Sequence, residues 1–320
     1  MPLKSYLAAI EHALKNHRYG ESPIELYEPI HYLMDLGGKR LRPSLVLMAY
    51  HLFLDDWQKV LKPALAVEVF HNFTLMHDDI MDEAPLRRGK PTVHEKWNRD
   101  VAILSGDVML VGAYDLLAES ECGDFKVILK RFNRTAAEVC EGQQMDMNFS
   151  QRQTVDEAEY LEMIRLKTSV LLAFALELGG RLAGQADEIV NQLYAIGINL
   201  GLGFQLKDDI LDVYGDPEKF GKQVGGDILE NKKTWLMIKA LEACEDSSLL
   251  HWIGQTEFEP EEKIEAVKAI YARYEIKEKA EAKMNEYFER GFSGIDALPV
   301  SFSRKQELVD FAKYLYGRER

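Results

Sequence analysis

The stretch HDDIMDEAPLRRGKPTVH, residues 77–94, crowds Asp78, Asp79 and Asp82 together in a chain whose formal net charge is already −14. The pattern returns as DDILD at 208–212, with Asp208, Asp209 and Asp212. On a helix, residues four apart lie within about 40° of each other, so Asp78 shares a face with Asp82 and Asp208 with Asp212. Like charges at that spacing repel, and carboxylates at a helix C-terminus also oppose its dipole. A lone DDxxD in an acidic chain is most often a solvated helix end. Two near-identical copies, each closing an apolar helical run and each followed by a break, point instead to a bound cation. Paired carboxylates supply hard oxygen ligands, which suit Mg²⁺ rather than zinc. An EF-hand calcium loop would need acidic residues at alternate positions around a central glycine, which neither motif has.

Basic groups accompany the acidic ones. GGKRLRP at 37–43 places Lys39, Arg40 and Arg42 behind two glycines that free the backbone. That run fits either an ordinary helix start or a phosphate site, where arginine offers a fork and lysine a point charge. Arg87 and Arg88 sit in the loop after the first acidic motif. Lys167-Thr168 lies within an apolar helical run. Lys222 falls in a glycine-flanked loop after the second motif, and Lys232-Lys233 opens the next helix. Aspartate-bound Mg²⁺ ringed by Arg and Lys makes a diphosphate site, because Mg²⁺ binds through carboxylates together with substrate phosphates. His71 and Thr74 lie on the Asp78 stripe. A lone histidine is more often a satisfied core residue, but its place on this stripe favours a role at the site. Below Asp208 and Asp212 the stripe holds Phe204, Gly201 and Gly197. Two glycines on one helix stripe mean either close helix packing or room for something long beside the helix.

The elements that must hold these groups are helical almost throughout. Helical periodicity covers 43–54, 64–82, 101–119, 125–147, 156–182, 187–213, 231–245, 260–274 and 276–290, and the first 17 residues read as an amphipathic helix. Gly37-Gly38, Pro85, Gly89-Lys90-Pro91, Gly123, Gly215-Asp216-Pro217 and Gly225-Gly226 mark the breaks. No linker separates two domains, so residues 1–320 are expected to form one all-α domain, with 64–77 and 187–206 at its centre. A pI of about 5.1 argues against nucleic-acid or anionic-membrane binding. No apolar run reaches about 18 residues, so no transmembrane span is expected. Three distant cysteines, Cys122, Cys140 and Cys244, make no metal or disulfide pattern and fit a cytoplasmic location.

GGKRLRP, HDDIMDEAPLRRGKPT, GQQMD (142–146), KT (167–168), GFQLKDDILDVYGD (203–216) and GKQVGGDILENKKTW (221–235), in this order, resemble the trans-isoprenyl diphosphate synthases, or polyprenyl synthetases. The resemblance spans nearly the whole chain. It implies an all-α bundle around a deep central cavity, a homodimer, and Mg²⁺-dependent joining of isopentenyl diphosphate to an allylic diphosphate. By that resemblance Asp78, Asp82 and Asp208 are direct ligands of three Mg²⁺ ions, supported by Asp79, Asp209 and Asp212. Arg87, Lys167, Lys222 and Lys232 contact the allylic diphosphate. Lys39, Arg42, His71 and Arg88 hold isopentenyl diphosphate. Thr168 and Gln205, with Lys167, flank the developing carbocation, and Gln143 and Asp146 stand behind the ligands. Phe70, Phe73 and Thr74 bear on chain length and imply products of C15 to C20. A class I terpene cyclase would carry an Asn/Ser/Glu pattern in place of DDILD and would lack GGKRLRP. A non-catalytic partner subunit usually loses an acidic motif, and both are intact here.

Overall fold

Caps, prolines and glycines set where each helix begins and ends. The computed structural model describes residues 2–121, 123–216 and 224–318. α1 (Pro2–Asn16) and α2 (Ile24–Asp35) come first. Gly37 (φ 77°), Gly38 (φ 154°) and Arg40 (φ 48°) then turn the chain into α3 (Leu41–His51). A 3₁₀ turn at Trp57–Val60 leads to α4 (Leu61–Met81), which carries Pro63 in its first turn, where a missing N–H costs nothing. The short strands β1 (Leu86–Arg87) and β2 (Lys90–Pro91) pair antiparallel across Arg88 and Gly89, both at positive φ, as a two-residue hairpin requires. α5 (Val93–Lys96) follows, then α6 (Arg99–Ala118), whose cap is Asn98 accepting the Val101 N–H at 2.9 Å.

α7 (Phe125–Ser150) is followed by α8 (Glu157–Ile164), which opens on a reciprocal capping box between Asp156 and Glu159. A π turn at Arg165–Ser169 joins α8 to α9 (Val170–Leu182). Then come α10 (Asp187–Tyr214), α11 (Gly226–Leu229), α12 (Trp235–Ala243), α13 (Ser248–Gly254), α14 (Pro260–Arg273), α15 (Ile276–Asp296) and α16 (Phe302–Tyr316). The fold is all-α, as expected. The periodic segments fall on these helices, except that Lys232-Lys233, expected to open a helix, precede the Thr234 cap of α12, and α2, α5, α11, α13 and α16 are helices that the periodicity reading passes over.

The chain divides into two compact units. The first comprises Met1–Asn133, Phe174–Leu193 and Pro299–Leu308. α4 is buried on nearly every side there, from Pro63 to Ile80. Phe70 stacks edge-on against Phe132 at 5.1 Å, and Phe132 in turn meets Tyr114 and Phe174. Burying each such ring contributes about 1.5–3 kcal/mol. α6 lies along α4, and the His77 ring fills the space over Gly106 within reach of the Ile103 carbonyl (3.1 Å). α6 is also the helix, among the described residues, whose length and composition would suit a membrane span. It instead buries Ala102, Ser105, Gly106, Met109 and Ala113 inside the unit.

The second unit comprises Arg134–Ala173, Tyr194–Leu298 and Val309–Arg320. The glycine stripe of α10 resolves as close helix packing. A Cβ on Gly197 would lie 2.3 Å from Ala173 Cα, and one on Gly201 2.7 Å from Ser169 Cα. α10 is thereby pressed against the backbone that runs out of the π turn. Gly142 does the same from α7, where a Cβ would fall 2.3 Å from the Lys167 nitrogen. The Lys167-Thr168 pair is thus clamped between two helices by three glycines.

Candidate functional site

In the first unit the glycine pair lets the chain pass beside Arg88. A Cβ on Gly38 would lie 3.0 Å from Arg88 Nη2. Arg40 adopts a left-handed conformation, which costs a non-glycine residue about 1–2 kcal/mol. Its guanidinium turns into the protein, while Lys39 beside it stays exposed. Arg42, in the first turn of α3, donates from Nη1 to His71 Nε2 at 3.0 Å. Its buried Nε meets no acceptor. Burial pulls Arg42 down to about 10, so it remains charged at neutral pH. Burial, and then the charges of Arg42, Arg87, Arg88 and Arg40, hold His71 well below its ordinary value. His71 is therefore neutral and accepts the Arg42 hydrogen bond. The four residues expected to hold isopentenyl diphosphate, Lys39, Arg42, His71 and Arg88, are thus borne by one turn, α3, α4 and the hairpin of this unit.

At the end of α4, Asp78 is half-buried and Asp82 is exposed. Asp79 points the other way and is 2% exposed. Arg87 grips both of its oxygens, from Nε and Nη2, each at 2.7 Å. This bidentate, charge-assisted pair neutralises the aspartate nearest the core and ties the hairpin to the helix end. Arg87, expected to meet substrate, is committed to Asp79 here.

In the second unit the π turn presents Lys167 and Thr168. Lys167 Nζ donates to Asp146 Oδ2 at 2.6 Å, and Thr168 Oγ1 to Gln205 Oε1 at 3.1 Å. Gln205 Nε2 passes the chain on to Asp209 Oδ1 at 3.2 Å, and Tyr160 donates to the other Asp209 oxygen. Burial pushes Asp209 up to about 8, and the charge of Asp227 adds to the rise. Asp212 Oδ1 accepts the Asp227 N–H at 3.0 Å. Lys232 Nζ lies 3.8 Å from Asp227. Desolvation lowers the pKa of Lys232, but Asp227, Asp146 and Asp209 outweigh it and hold it above the ordinary value. Asp208 accepts from Arg318 Nη1 at 2.7 Å, and the same guanidinium lies 5.0 Å from the Phe204 ring centre. Gln143 is buried with neither amide atom partnered. Lys222 lies outside the described residues.

Among the described residues, no three acidic, histidine or cysteine side chains are drawn together at metal-binding spacing. The donor chemistry nonetheless fits a hard cation that completes its shell with water and phosphate oxygens. Asp78 and Asp82 share an accessible face, and Asp208 already holds a cationic group, the Arg318 guanidinium. Of the residues placed at chain length, Phe70 is fully enclosed in the aromatic cluster, and Phe73 contacts Phe70 (5.6 Å) and His77 (4.7 Å). Thr74 Oγ1 donates back to the His71 carbonyl at 2.8 Å. Sequence reasoning missed Tyr160, Asp227 and Arg318. Asp227 stands in the quoted GGDILENKK run and was within reach of it. Tyr160 and Arg318 carry no local signal.

Residues 23–271 match the family model described as Polyprenyl synthetase. Geranylgeranyl diphosphate synthase of Methanosarcina mazei is 39% identical over 299 residues, covering 93% of this chain and 91% of that protein. Geranylfarnesyl diphosphate synthase of Natronomonas pharaonis is 38% identical over 238 residues, 69% of this chain and 70% of that protein. A crystal structure of a geranylgeranyl pyrophosphate synthase superposes with a TM-score of 0.94 at 45% identity, covering 99% of both chains.

The depressed histidine gives a pH dependence. A base whose pKa is lowered by folding binds protons more readily when unfolded. Its contribution to stability is therefore complete above the unfolded value of 6.5 and declines as pH falls below it. The His71 contribution to the stability of the ligand-free protein should fall between pH 7 and 5, by up to about 1.4 kcal/mol per pH unit, while Asp209, raised to about 8, contributes in the opposite sense over the same range. Urea denaturation of wild type and His71→Gln across that range checks it. The stability of wild type relative to the variant should fall as pH drops from 7 to 5, and a pH-independent difference would remove His71 as a cause.

Proposed function

Because the chain belongs to the polyprenyl synthetase family, whose members are trans-prenyltransferases, we propose that it joins isopentenyl diphosphate head-to-tail to an allylic diphosphate with Mg²⁺, and that geranylgeranyl diphosphate is its main product. The observation that carries this reading is the orphaned Arg42 Nε beside neutral His71, with Lys39 and Arg88 around the same turn. The Arg42 Nε lacks an acceptor, and a diphosphate has the oxygens to satisfy it. The naming of relatives as geranylgeranyl diphosphate synthases supports a product at the upper end of the C15 to C20 range, while those named geranylfarnesyl diphosphate synthases, a C25 product, lie beyond it.

Each group then has a task. Lys39, Arg42, His71 and Arg88 hold isopentenyl diphosphate, with His71 fixing the arginine fork through its ring nitrogen. Asp78 and Asp82 in the first unit, and Asp208 in the second, would hold Mg²⁺, for which Arg318 must release Asp208. When bound, Mg²⁺ supplies positive charge that stabilises the departing diphosphate. Lys167, Lys222 and Lys232 add cationic charge to the allylic diphosphate, and Arg87 does so indirectly by keeping Asp79 neutralised. The Thr168 hydroxyl and the Gln205 carbonyl, joined by their hydrogen bond, turn oxygen dipoles toward the allylic cation left when the C–O bond breaks. The isopentenyl double bond forms the new C–C bond, and the proton then lost goes to the departing diphosphate. No protein base is required. A cytoplasmic location belongs to the same reading and rests on the three widely spaced cysteines.

The deciding experiment is product analysis. The protein is incubated with dimethylallyl and isopentenyl diphosphates plus Mg²⁺, the products are dephosphorylated, and their carbon number is measured. Geranylgeraniol is expected, with nothing formed in EDTA. Asp78→Ala and Asp208→Ala should each lower kcat by about 100-fold or more while leaving the fold intact. A hydrocarbon product would indicate a cyclase, and absence of diphosphate release a non-catalytic subunit.

A homodimer forms part of the proposal. Ile103, Leu104 and Val111 expose an apolar strip on the outer side of α6, 39%, 57% and 59% accessible, and a second copy of the chain would cover it. Sedimentation equilibrium should give twice the chain mass for wild type and a monomer for Leu104→Glu/Val111→Glu. A monomeric wild type at micromolar concentration would exclude the dimer.

A further inference from the structure

Arg40 sits between two residues of the proposed isopentenyl diphosphate cradle and points away from it. It is 3% exposed and held in the left-handed region, with φ 48° and ψ 38°. Its planar fork meets three acceptors on three helices. Nε donates to Glu11 Oε1 of α1 at 2.7 Å, Nη1 to Glu68 Oε1 of α4 at 2.7 Å, and Nη2 to the Met34 carbonyl of α2 at 3.0 Å. Glu68 is itself 3% exposed and is bound a second time by Asn72 Nδ2 at 3.3 Å. The Arg40 carbonyl receives the Ser44 N–H at 3.2 Å and the Ser44 hydroxyl at 2.8 Å, which starts α3.

The placement matters because the cradle has two sides. Lys39 and Arg42 come from the turn and α3, whereas His71 comes from α4, one turn beyond Glu68. The buried Arg40–Glu68 contact joins those sides directly, and it holds a backbone conformation that the turn would otherwise relax from. The geometry points to Arg40 and Glu68 as positioning residues for isopentenyl diphosphate: their buried ion pair sets the register between the glycine turn and α4, and with it the spacing of Lys39 and Arg42 from His71. This inference rests on the proposed function of that cradle. A lysine at position 40 would keep the charge but could not match three fixed acceptors with one fork. A glutamine at position 68 would keep the shape but leave the guanidinium short of its buried counter-charge.

The test uses the full chain and two readouts. Binding of isopentenyl diphosphate alone is measured by calorimetry, and KM for each substrate is measured separately. Arg40→Lys and Glu68→Gln should each raise Kd and KM for isopentenyl diphosphate about tenfold, with kcat and the allylic KM within about twofold of wild type. The double variant Arg40→Met/Glu68→Met, which removes both buried charges, should recover thermal stability without recovering affinity. A purely structural pair would lower Tm and leave the ratio of the two KM values unchanged. Unchanged isopentenyl diphosphate affinity in both single variants, with affinity lost in Arg42→Ala, would overturn the positioning role and leave the cradle standing. Unchanged affinity in Arg42→Ala as well would overturn both.

Discussion

Negative charge at the C-terminal ends of two apolar helices is the constraint on which the rest of this protein depends. α4 and α10 each end in carboxylates that repel one another and oppose the helix dipole. The chain compensates locally in each case with a guanidinium. Arg87 takes both oxygens of Asp79, and Arg318 takes Asp208. The two pairs differ in kind. Asp79 is nearly inaccessible, so its pair is a permanent part of the fold, and leaving either partner buried alone would cost several kcal/mol. Arg318 meets a more accessible carboxylate, which in the proposed reaction would exchange it for a metal ion. Neutralisation is therefore buried at Asp79 and accessible at Asp208.

The basic side follows the same division. Arg40 is spent on Glu68 and Glu11 and holds the turn in shape, while Arg42 keeps a buried Nε with no acceptor. His71 stays neutral because it is buried and because four arginines lie near it, so it serves as an acceptor for Arg42 rather than as a further charge. In the second unit Lys167 is paired with Asp146, and Lys232 is kept charged by three aspartates. In the proposed reaction such groups would transfer their contacts to a phosphate, which would keep the cost of organising the site low.

Much of this was legible in the sequence, for identifiable reasons. α4 and α10 were readable because apolar positions recur at helical spacing and end in DDxxD. The basic turn was readable because glycines precede it. α2 was passed over because Pro29 lies within it. α16 was passed over although Leu308, Phe311, Ala312 and Leu315 form one buried stripe, since the charged residues between them dilute the pattern. The glycine stripe at Gly197 and Gly201 could be read two ways until packing against Ala173 and Ser169 chose one. Arg40 and Arg42 look alike as letters, and only their hydrogen-bond partners separate the structural arginine from the one with an open donor. Arg318 is 110 residues from Asp208 and Tyr160 is 49 from Asp209, so no local spacing could have joined them.

The proposed function requires these carboxylates and basic groups to bind metal and diphosphate together. Thermal melting of the full chain with Mg²⁺, with inorganic diphosphate, and with both tests it without any turnover. Ligand binding to the folded state raises Tm by an amount that grows with the logarithm of ligand concentration over Kd. Either component alone should move Tm little, because few carboxylates converge without phosphate oxygens and the basic groups are partly engaged. Both together should raise Tm by far more than the sum of the two separate shifts. A melting temperature unaffected by the combination at millimolar concentrations would contradict the account.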